Sequence, residues 1–215
     1  MSPLWMRRNQ GVFKKKKLLR FSIDDAHTEG WRSFLNAPVD ITQLENLLIA
    51  IDRSYDFELG SIRALTAGSE KLQTFSLEGR LEDPLELADY LHPGYAKTLK
   101  GLTISQDLYD FRLNPYLSLV PQLEKIAGKN VLESLSFHFL ISIFPSVRDT
   151  DLAEWRKLDS ILSKSAAFPF LRRVEITIVL LRLDGGLEKE LRELGTDQFP
   201  LLRHCDGLTF LFEVK

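Results

Sequence analysis

Two short stretches, LKGLTISQ at residues 99–106 and LRRVEITI at residues 171–178, carry the same apolar spacing. Each begins with a leucine and has further aliphatic residues three and five positions later, as in Leu171, Val174 and Ile176. The residue between the last two is polar, so the side chains alternate between two faces as they do in a β-strand. The two stretches therefore predict two copies of one strand.

The same spacing recurs along the chain. Six strings carry apolar residues at relative positions 1, 4 and 6, and they are Leu18, Phe21 and Ile23; Leu44, Leu47 and Ile49; Leu72, Phe75 and Leu77; Leu99, Leu102 and Ile104; Leu132, Leu135 and Phe137; and Leu171, Val174 and Ile176. Successive first leucines are 26, 28, 27, 33 and 39 residues apart, so the early units are regular and the later units carry insertions. A unit of this size cannot enclose a core alone, so neighbouring units must stack.

A second mark indicates one more unit near the end of the sequence. Phe-Pro precedes a leucine at the same offset in FPFLRR, residues 168–173, and in FPLLRH, residues 199–204. This repetition predicts a seventh, degenerate unit that begins at Leu202. Cys205 would then occupy the apolar fourth position, where a buried and inert thiol is expected.

Helical signals lie between the strings. An Asp or Asn N-cap followed by Pro, or a stripe of leucines one turn apart, marks four segments: 83–91, 114–130, 150–165 and 185–195. Pro121 is expected to kink or split the second segment. Strand, turn, helix and turn therefore alternate, which predicts an α/β solenoid of irregular units with a parallel sheet on the concave face and helices on the convex face.

Composition excludes several classes of protein. With 44% apolar residues the 215-residue chain can bury a substantial core, and its 28 basic and 30 acidic residues leave no overall field that would attract nucleic acid or an acidic membrane. No apolar stretch reaches the roughly 18 residues that span a bilayer. The single cysteine cannot form an internal disulfide, which favours a reducing compartment, the cytoplasm or the nucleus.

The first 17 residues differ from the rest of the chain. They end in RRNQGVFKKKK, residues 7–17, whose like charges repel, so residues 1–17 are predicted to be a disordered basic extension. A nuclear localisation signal, or a tether to nucleic acid or another anionic surface, is the alternative interpretation. Residues 18–215 are predicted to form a single domain of six or seven units.

The polar residues that flank the apolar strand positions are the candidate binding residues. Because strand side chains alternate, they are expected on the concave face, where they would bind a protein partner: Arg20, Ser22, Asp24, Thr74, Ser76, Glu78, Thr103, Ser105, Ser134, Ser136, His138, Arg173, Glu175 and Thr177. The alternative is that Ser and Thr are simply small residues suited to a crowded, solvated sheet.

No motif predicts catalysis, a metal or a cofactor. DDAH at residues 24–27 and HCD at residues 204–206 combine suitable residue types, but neighbours in a strand point to opposite faces and no second cluster supplies further ligands. DGG at residues 184–186 has neither P-loop nor dinucleotide-binding spacing and is interpreted as a turn. A non-catalytic module is therefore expected, and an uncharacterised enzyme is the alternative.

The L-x-x-L-x-I strings resemble the leucine-rich repeat, and the early spacing with one helix per unit is similar to its longer, ribonuclease-inhibitor-type class. The resemblance covers residue 18 to about residue 210. The sequence departs from the family where the repeat has an Asn or Cys that bonds the turn backbone, because it has Asp52, Arg80, Asp107, Leu140 and Val179 there.

The stretches AEWRKLDSIL, residues 153–162, and FPFLRRVEI, residues 168–176, also resemble the repeat region of fungal F-box-like proteins. In that family the repeats bind a substrate, and a preceding helical F-box recruits a ubiquitin-ligase core. Only 17 residues precede the first string, too few for an F-box. The resemblance thus implies the recognition half alone, with ubiquitin-ligase subunits as partners only if an F-box is encoded upstream.

Overall fold

The fold is built on one parallel sheet. The computed structural model describes residues 20–23, 42–51, 66–79, 93–108, 119–141, 152–181 and 185–215. Seven strands lie within these ranges: β1 Arg20–Ile23, β2 Asn46–Ile51, β3 Thr74–Gly79, β4 Gly101–Leu108, β5 Ser134–Ile141, β6 Arg173–Leu180 and β7 Thr209–Val214. Every adjacent pair is parallel, and the order in the sheet is the order in the chain. The predicted α/β class and the parallel sheet are therefore confirmed.

The register of the sheet agrees with the alignment of the six strings. Phe75 of β3 pairs with Leu102, Leu102 with Leu135, and Leu135 with Val174. The same correspondence starts at β1, where Phe21 pairs with Leu47. A slip of one residue would turn every apolar side chain to the other face, so the hydrophobic pattern itself specifies this register.

Helices occupy part of the sequence between the strands. Among the described residues they are a 3-10 helix at Pro93–Lys97 and four α-helices: α1 Leu119–Ile126, α2 Leu152–Leu162, α3 Gly185–Asp197 and α4 Pro200–Arg203. The helices predicted at 150–165 and 185–195 are confirmed as α2 and α3. Pro121 lies in the first turn of α1, where no intrahelical bond needs its missing N–H group, so it does not break that helix. The segment 83–91, residues 114–118 of the second predicted helix and residues 1–17 lie outside the described residues.

The core lies between one face of the sheet and the helices. The buried strand residues and the buried residues of α1, α2 and α3 form a single apolar cluster. In β5 the burial alternates along the strand, and Leu135 and Phe137 are fully buried. Removing each such side chain from water stabilises the fold by about 1.5–3 kcal/mol. The described helices therefore cover one face of the sheet and leave the other uncovered.

The predicted seventh unit is wrong in its register. Phe210 of β7, and not Cys205, pairs with Val174, so the seventh strand starts five residues later than the Phe-Pro mark predicts. Pro200 instead begins α4, whose N-terminal N–H groups are bonded by the carboxylate of Asp159. Cys205 lies after this helix and is partly exposed, not buried in a strand.

The later strands pass through the position at which leucine-rich repeats turn. β4, β5 and β6 are each eight residues long, and Asp107, Leu140 and Val179 pair within them. At these positions the backbone therefore forms sheet hydrogen bonds, whereas in leucine-rich repeats a side chain there bonds the backbone of a turn. Asp52 and Arg80 lie outside the described residues.

Candidate interaction face

The candidate site is the face of the sheet that points away from the core, here called the open face. Its side chains form three rows across the strands, because the register does not slip between neighbours. From β2 to β7, the first row is Asn46, Thr74, Gly101, Ser134, Arg173 and Thr209; the second is Leu48, Ser76, Thr103, Ser136, Glu175 and Leu211; the third is Ala50, Glu78, Ser105, His138, Thr177 and Glu213. Neighbours in a row are one strand spacing apart, about 4.8 Å.

The rows bring together most of the predicted binding residues. All those predicted on β3 to β6 lie on the open face. Arg20 and Ser22 occupy the β1 positions of the first and second rows, and Asp24 lies outside the described residues. Sequence reasoning missed the β2 and β7 members of the rows. The string spacing would have found those of β2, whereas those of β7 were hidden by the incorrect register of the seventh unit.

The middle of the open face is a patch of short side chains with hydroxyl groups, here called the hydroxyl floor. Strands β3, β4 and β5 contribute six positions to the first two rows. Five of these positions are Ser or Thr, including Thr74 and Ser76 of β3, and the sixth is Gly101. A Cβ atom on Gly101 would lie 3.2 Å from Oγ of Ser134 and 3.3 Å from Cγ2 of Thr74, so even an alanine there would require these side chains to shift slightly. The Thr74 hydroxyl donates a hydrogen bond to Oδ1 of Asn46. This floor offers donors and acceptors with little charge.

The β6–β7 end of the open face carries paired charges. Arg173 bonds Glu175 at 2.9 Å, and Lys215, which follows β7, bonds Glu213 at 2.7 Å. The hydrogen bond and charge of Lys215 lower the pKa of Glu213, and Arg173 lowers it further. The bond and charge of Glu213 raise the pKa of Lys215, with a smaller contribution from Glu175. These four groups therefore form a network without net charge, and because its pairs are exposed to water they add little to stability.

Thr177 is the most enclosed polar residue of the rows. Its side chain lies between His138 and Glu213 in the third row and is only 3% exposed. Its hydroxyl has no hydrogen-bond partner within the described part of the chain. A buried hydroxyl without a partner costs about 1–3 kcal/mol, so the open face contains a polar group with unmet bonding capacity.

The residue pairs that could suggest catalysis do not converge. Nδ1 of His204 is 2.7 Å from the carbonyl of Pro200, whereas the Cys205 thiol points to the carbonyl of Ser163, 3.9 Å away. In the described ranges, no three His, Cys, Asp or Glu residues are grouped so that they could hold a metal ion. DDAH at 24–27 lies outside those ranges.

Among the described residues, a cleft lies on the helix side of the sheet. It has a volume of about 500 Å³ and lies between α1 and α2, where Glu124, Lys157, Ser160 and Lys164 contribute polar groups to its wall. Lys157 is bonded to Glu154. The cleft is separate from the open face and contains none of the predicted binding residues.

None of the helices described is long and apolar enough to cross a bilayer. Comparisons with models of protein families, with curated proteins and with solved structures found nothing that matches this chain.

Proposed function

We propose that this chain is a leucine-rich-repeat-like solenoid that binds a protein partner across its open face and catalyses no reaction. The observation that carries the proposal is the unbroken register of seven parallel strands in chain order, which aligns hydroxyl and charged side chains in rows. In such a stack the helices are bulkier than the strands and lie on one side. The sheet then curves, and the open face becomes its concave surface.

The size and chemistry of the open face favour a macromolecular partner. Seven strands at about 4.8 Å spacing extend over roughly 30 Å, which exceeds the length of most small ligands and matches a helix or loop of a folded protein. The hydroxyl floor at β3–β5 can bond backbone or amide groups of a partner, and the charged pairs at β6–β7 supply both signs. The orientation of the partner on the open face would therefore be set by hydrogen bonds more than by attraction between net charges.

The resemblance to fungal F-box-like repeats makes the proposal more specific. On that reading the partner is a protein destined for ubiquitination, and the module acts in the cytoplasm or the nucleus. Ubiquitin-ligase subunits would bind only through an F-box encoded upstream. Their recovery by affinity capture and mass spectrometry would support this part of the proposal, and a partner recovered repeatedly without them would leave a general binding module.

The experiment that tests the binding face places a photo-crosslinking amino acid at Ser136, in the centre of the open face. The matched control places it at Ser160, on α2 at the helix-side cleft. We expect one crosslinked partner from Ser136 and none from Ser160 in the same cell extract. A companion variant, Ser136→Arg, fills the floor with a long charged side chain and should abolish capture without lowering the melting temperature. Crosslinking from Ser160 alone would contradict the proposal.

A further inference from the structure

Among the described strands, only β6 pairs with β7. The N–H group of Thr209 donates to the carbonyl of Arg172 at 2.8 Å, and the N–H group of Lys215 donates to the carbonyl of Ile178 at 2.9 Å. Residues 209, 211, 213 and 215 therefore direct their backbone groups toward β6. Because backbone groups alternate along a strand, those of Phe210, Phe212 and Val214 point away from β6.

This outer edge of β7 is largely unpaired. The described part of the sheet has no strand beyond β7. The carbonyl of Val214 accepts a bond of 2.8 Å from Nη2 of Arg192 in α3. The other outward groups, which are the N–H groups of all three residues and the carbonyls of Phe210 and Phe212, have no partner among the described residues. Such a row of free donors and acceptors is a template for another strand.

An incompletely covered apolar flank runs beside the same edge. Val174 and Ile176 of β6 are fully buried, whereas their partners in β7, Phe210 and Phe212, remain partly exposed. The two rings contact Phe199, with centroids 5.1 Å and 5.8 Å away. They therefore form the outer side of an aromatic cluster that still faces water. An extended chain beside β7 would bond the free backbone groups and also cover these rings.

We propose that the outer edge of β7 binds an extended segment of a partner polypeptide as an additional strand. The outward residues 210, 212 and 214 span five positions, so the segment needs about five residues, or roughly 17 Å of extended chain. Its alternate residues should be apolar, because every second side chain lies on the helix side next to the phenylalanine rings. The backbone hydrogen bonds of the segment then supply affinity, and its alternating apolar side chains supply selectivity.

The position of α3 decides against a second copy of this chain as the occupant. A Cβ atom on Gly195 would lie 2.2 Å from Cδ1 of Phe212, so the backbone of α3 rests directly on β7. Two copies joined edge to edge would place their β7 strands about 4.8 Å apart, whereas packed helices need about 8–10 Å between their axes. The two α3 helices would overlap. A single strand brings no helix and avoids this conflict.

Arg192 does not close the edge. Its guanidinium uses one bond to the Val214 carbonyl and two to Oε1 of Glu188, at 3.0 and 2.8 Å. A carbonyl oxygen has two lone pairs, so that of Val214 can accept a second bond from an incoming strand. The three outward N–H groups are not affected by this contact.

The test uses a fluorescein-labelled peptide with the sequence of residues 209–215, TFLFEVK, because it has the alternation that the edge requires. Fluorescence anisotropy measures its binding to the full chain. The control peptide is N-methylated at its three central residues, which removes backbone donors from both of its edges and leaves the side chains unchanged. We expect saturable binding of the first peptide and binding at least about tenfold weaker for the control, since several hydrogen bonds are lost.

A matched pair of protein variants tests the same edge from the other side. Val214→Pro removes an N–H group that is not bonded to β6, and proline is tolerated at such edge positions. Val214→Ala also shortens the side chain but keeps the N–H group. We expect the proline variant to bind the peptide several-fold more weakly than the alanine variant, with hydrogen exchange confirming that β6 remains protected in both.

Three results would overturn the proposal. The first is absence of peptide binding, and the second is equal binding of both peptides, which would indicate apolar adhesion only. The third is a concentration-dependent dimer in analytical ultracentrifugation that the free TFLFEVK peptide dissociates, because a second copy would then occupy the edge. The peptide comparison uses the unaltered chain, so it decides the matter even if Val214→Pro fails to fold.

Discussion

The carboxylate of Asp159 joins α2 to α4. It is 2% exposed and accepts hydrogen bonds from the N–H groups of Leu201 at 3.0 Å and Leu202 at 2.8 Å. These are N-terminal N–H groups of α4, which have no partner within their own helix. This side chain therefore bonds the short helix that precedes β7 to α2, in addition to the burial of Leu202 in the core.

Replacing this carboxylate tests its contribution. Asp159→Ala leaves the buried N–H group of Leu202 and the partly buried N–H group of Leu201 without their acceptor, and we expect the free energy of unfolding to fall by about 1–3 kcal/mol. Urea denaturation measures the change. The matched control is Asp197→Ala, which removes an exposed carboxylate from α3 and should change stability by less than about 0.5 kcal/mol. Equal effects of the two substitutions would contradict the role of Asp159.

The protonation of Asp159 predicts a dependence on pH. Burial raises the pKa of this carboxyl above its ordinary value of 3.8, and the bonds from Leu202 and Leu201 only partly offset the rise. Between the ordinary pKa and the raised one, the folded state binds more protons than the unfolded state, so the carboxyl stabilises the fold less as pH rises. We therefore expect the stability of the wild type relative to Asp159→Asn to decrease from pH 3.8 upward and then to level off. Denaturation curves across this range measure it, and a relative stability that increases would be the contrary result.

At the scale of an element, each strand separates two functions by alternation. In β5, Phe137 is fully buried in the core, while its neighbour Ser136 lies on the open face. The side chains that stabilise the sheet and those available to a partner therefore belong to different, interleaved positions. This separation allows the open face to be altered without loss of the core.

The neighbouring positions of β5 provide a direct comparison. Phe137→Ala should cost about 3–5 kcal/mol, because it leaves a cavity in a close-packed core. Ser136→Ala should change the free energy of unfolding by no more than about 0.5 kcal/mol. Chemical denaturation of the two variants measures both values. A large loss for Ser136→Ala would show that the open face is covered by other parts of the chain.

At the scale of the whole molecule, each described strand pairs only with its neighbours in the chain. Stability in such an arrangement is the sum of the units and of the contacts between successive units. The predicted units begin after the basic residues 1–17. These residues are therefore expected to contribute to none of the contacts between units.

Deletion of residues 1–17 therefore has a defined expected result. The melting temperature should stay within about 2 °C, since this segment adds nothing to the predicted repeat core. Retention on DNA-cellulose at low and high salt tests the alternative function in parallel. Salt-dependent retention that disappears with the deletion would favour nucleic-acid binding through the tail.

Much of the fold could be predicted because the apolar period lies within a few neighbouring residues. The spacing of positions 1, 4 and 6 is sufficient to identify β1 to β6, the face that each strand buries, and the correspondence of residues such as Leu102 and Leu135. From the same alternation followed the rows of hydroxyl groups on the open face. These features depend on local sequence, and stacking repeats them from unit to unit.

The sequence by itself thus determined the parallel sheet and six of its strands, because identical short patterns must pack in the same way against one another. Only the tertiary structure decided the position of β7, the hydrogen bond from the Leu202 N–H group to Asp159 and the packing of α3 against Phe212. Each of these depends on residues that are distant in the chain and carry no repeated spacing. Their partners are selected by three-dimensional packing, which a local pattern does not encode.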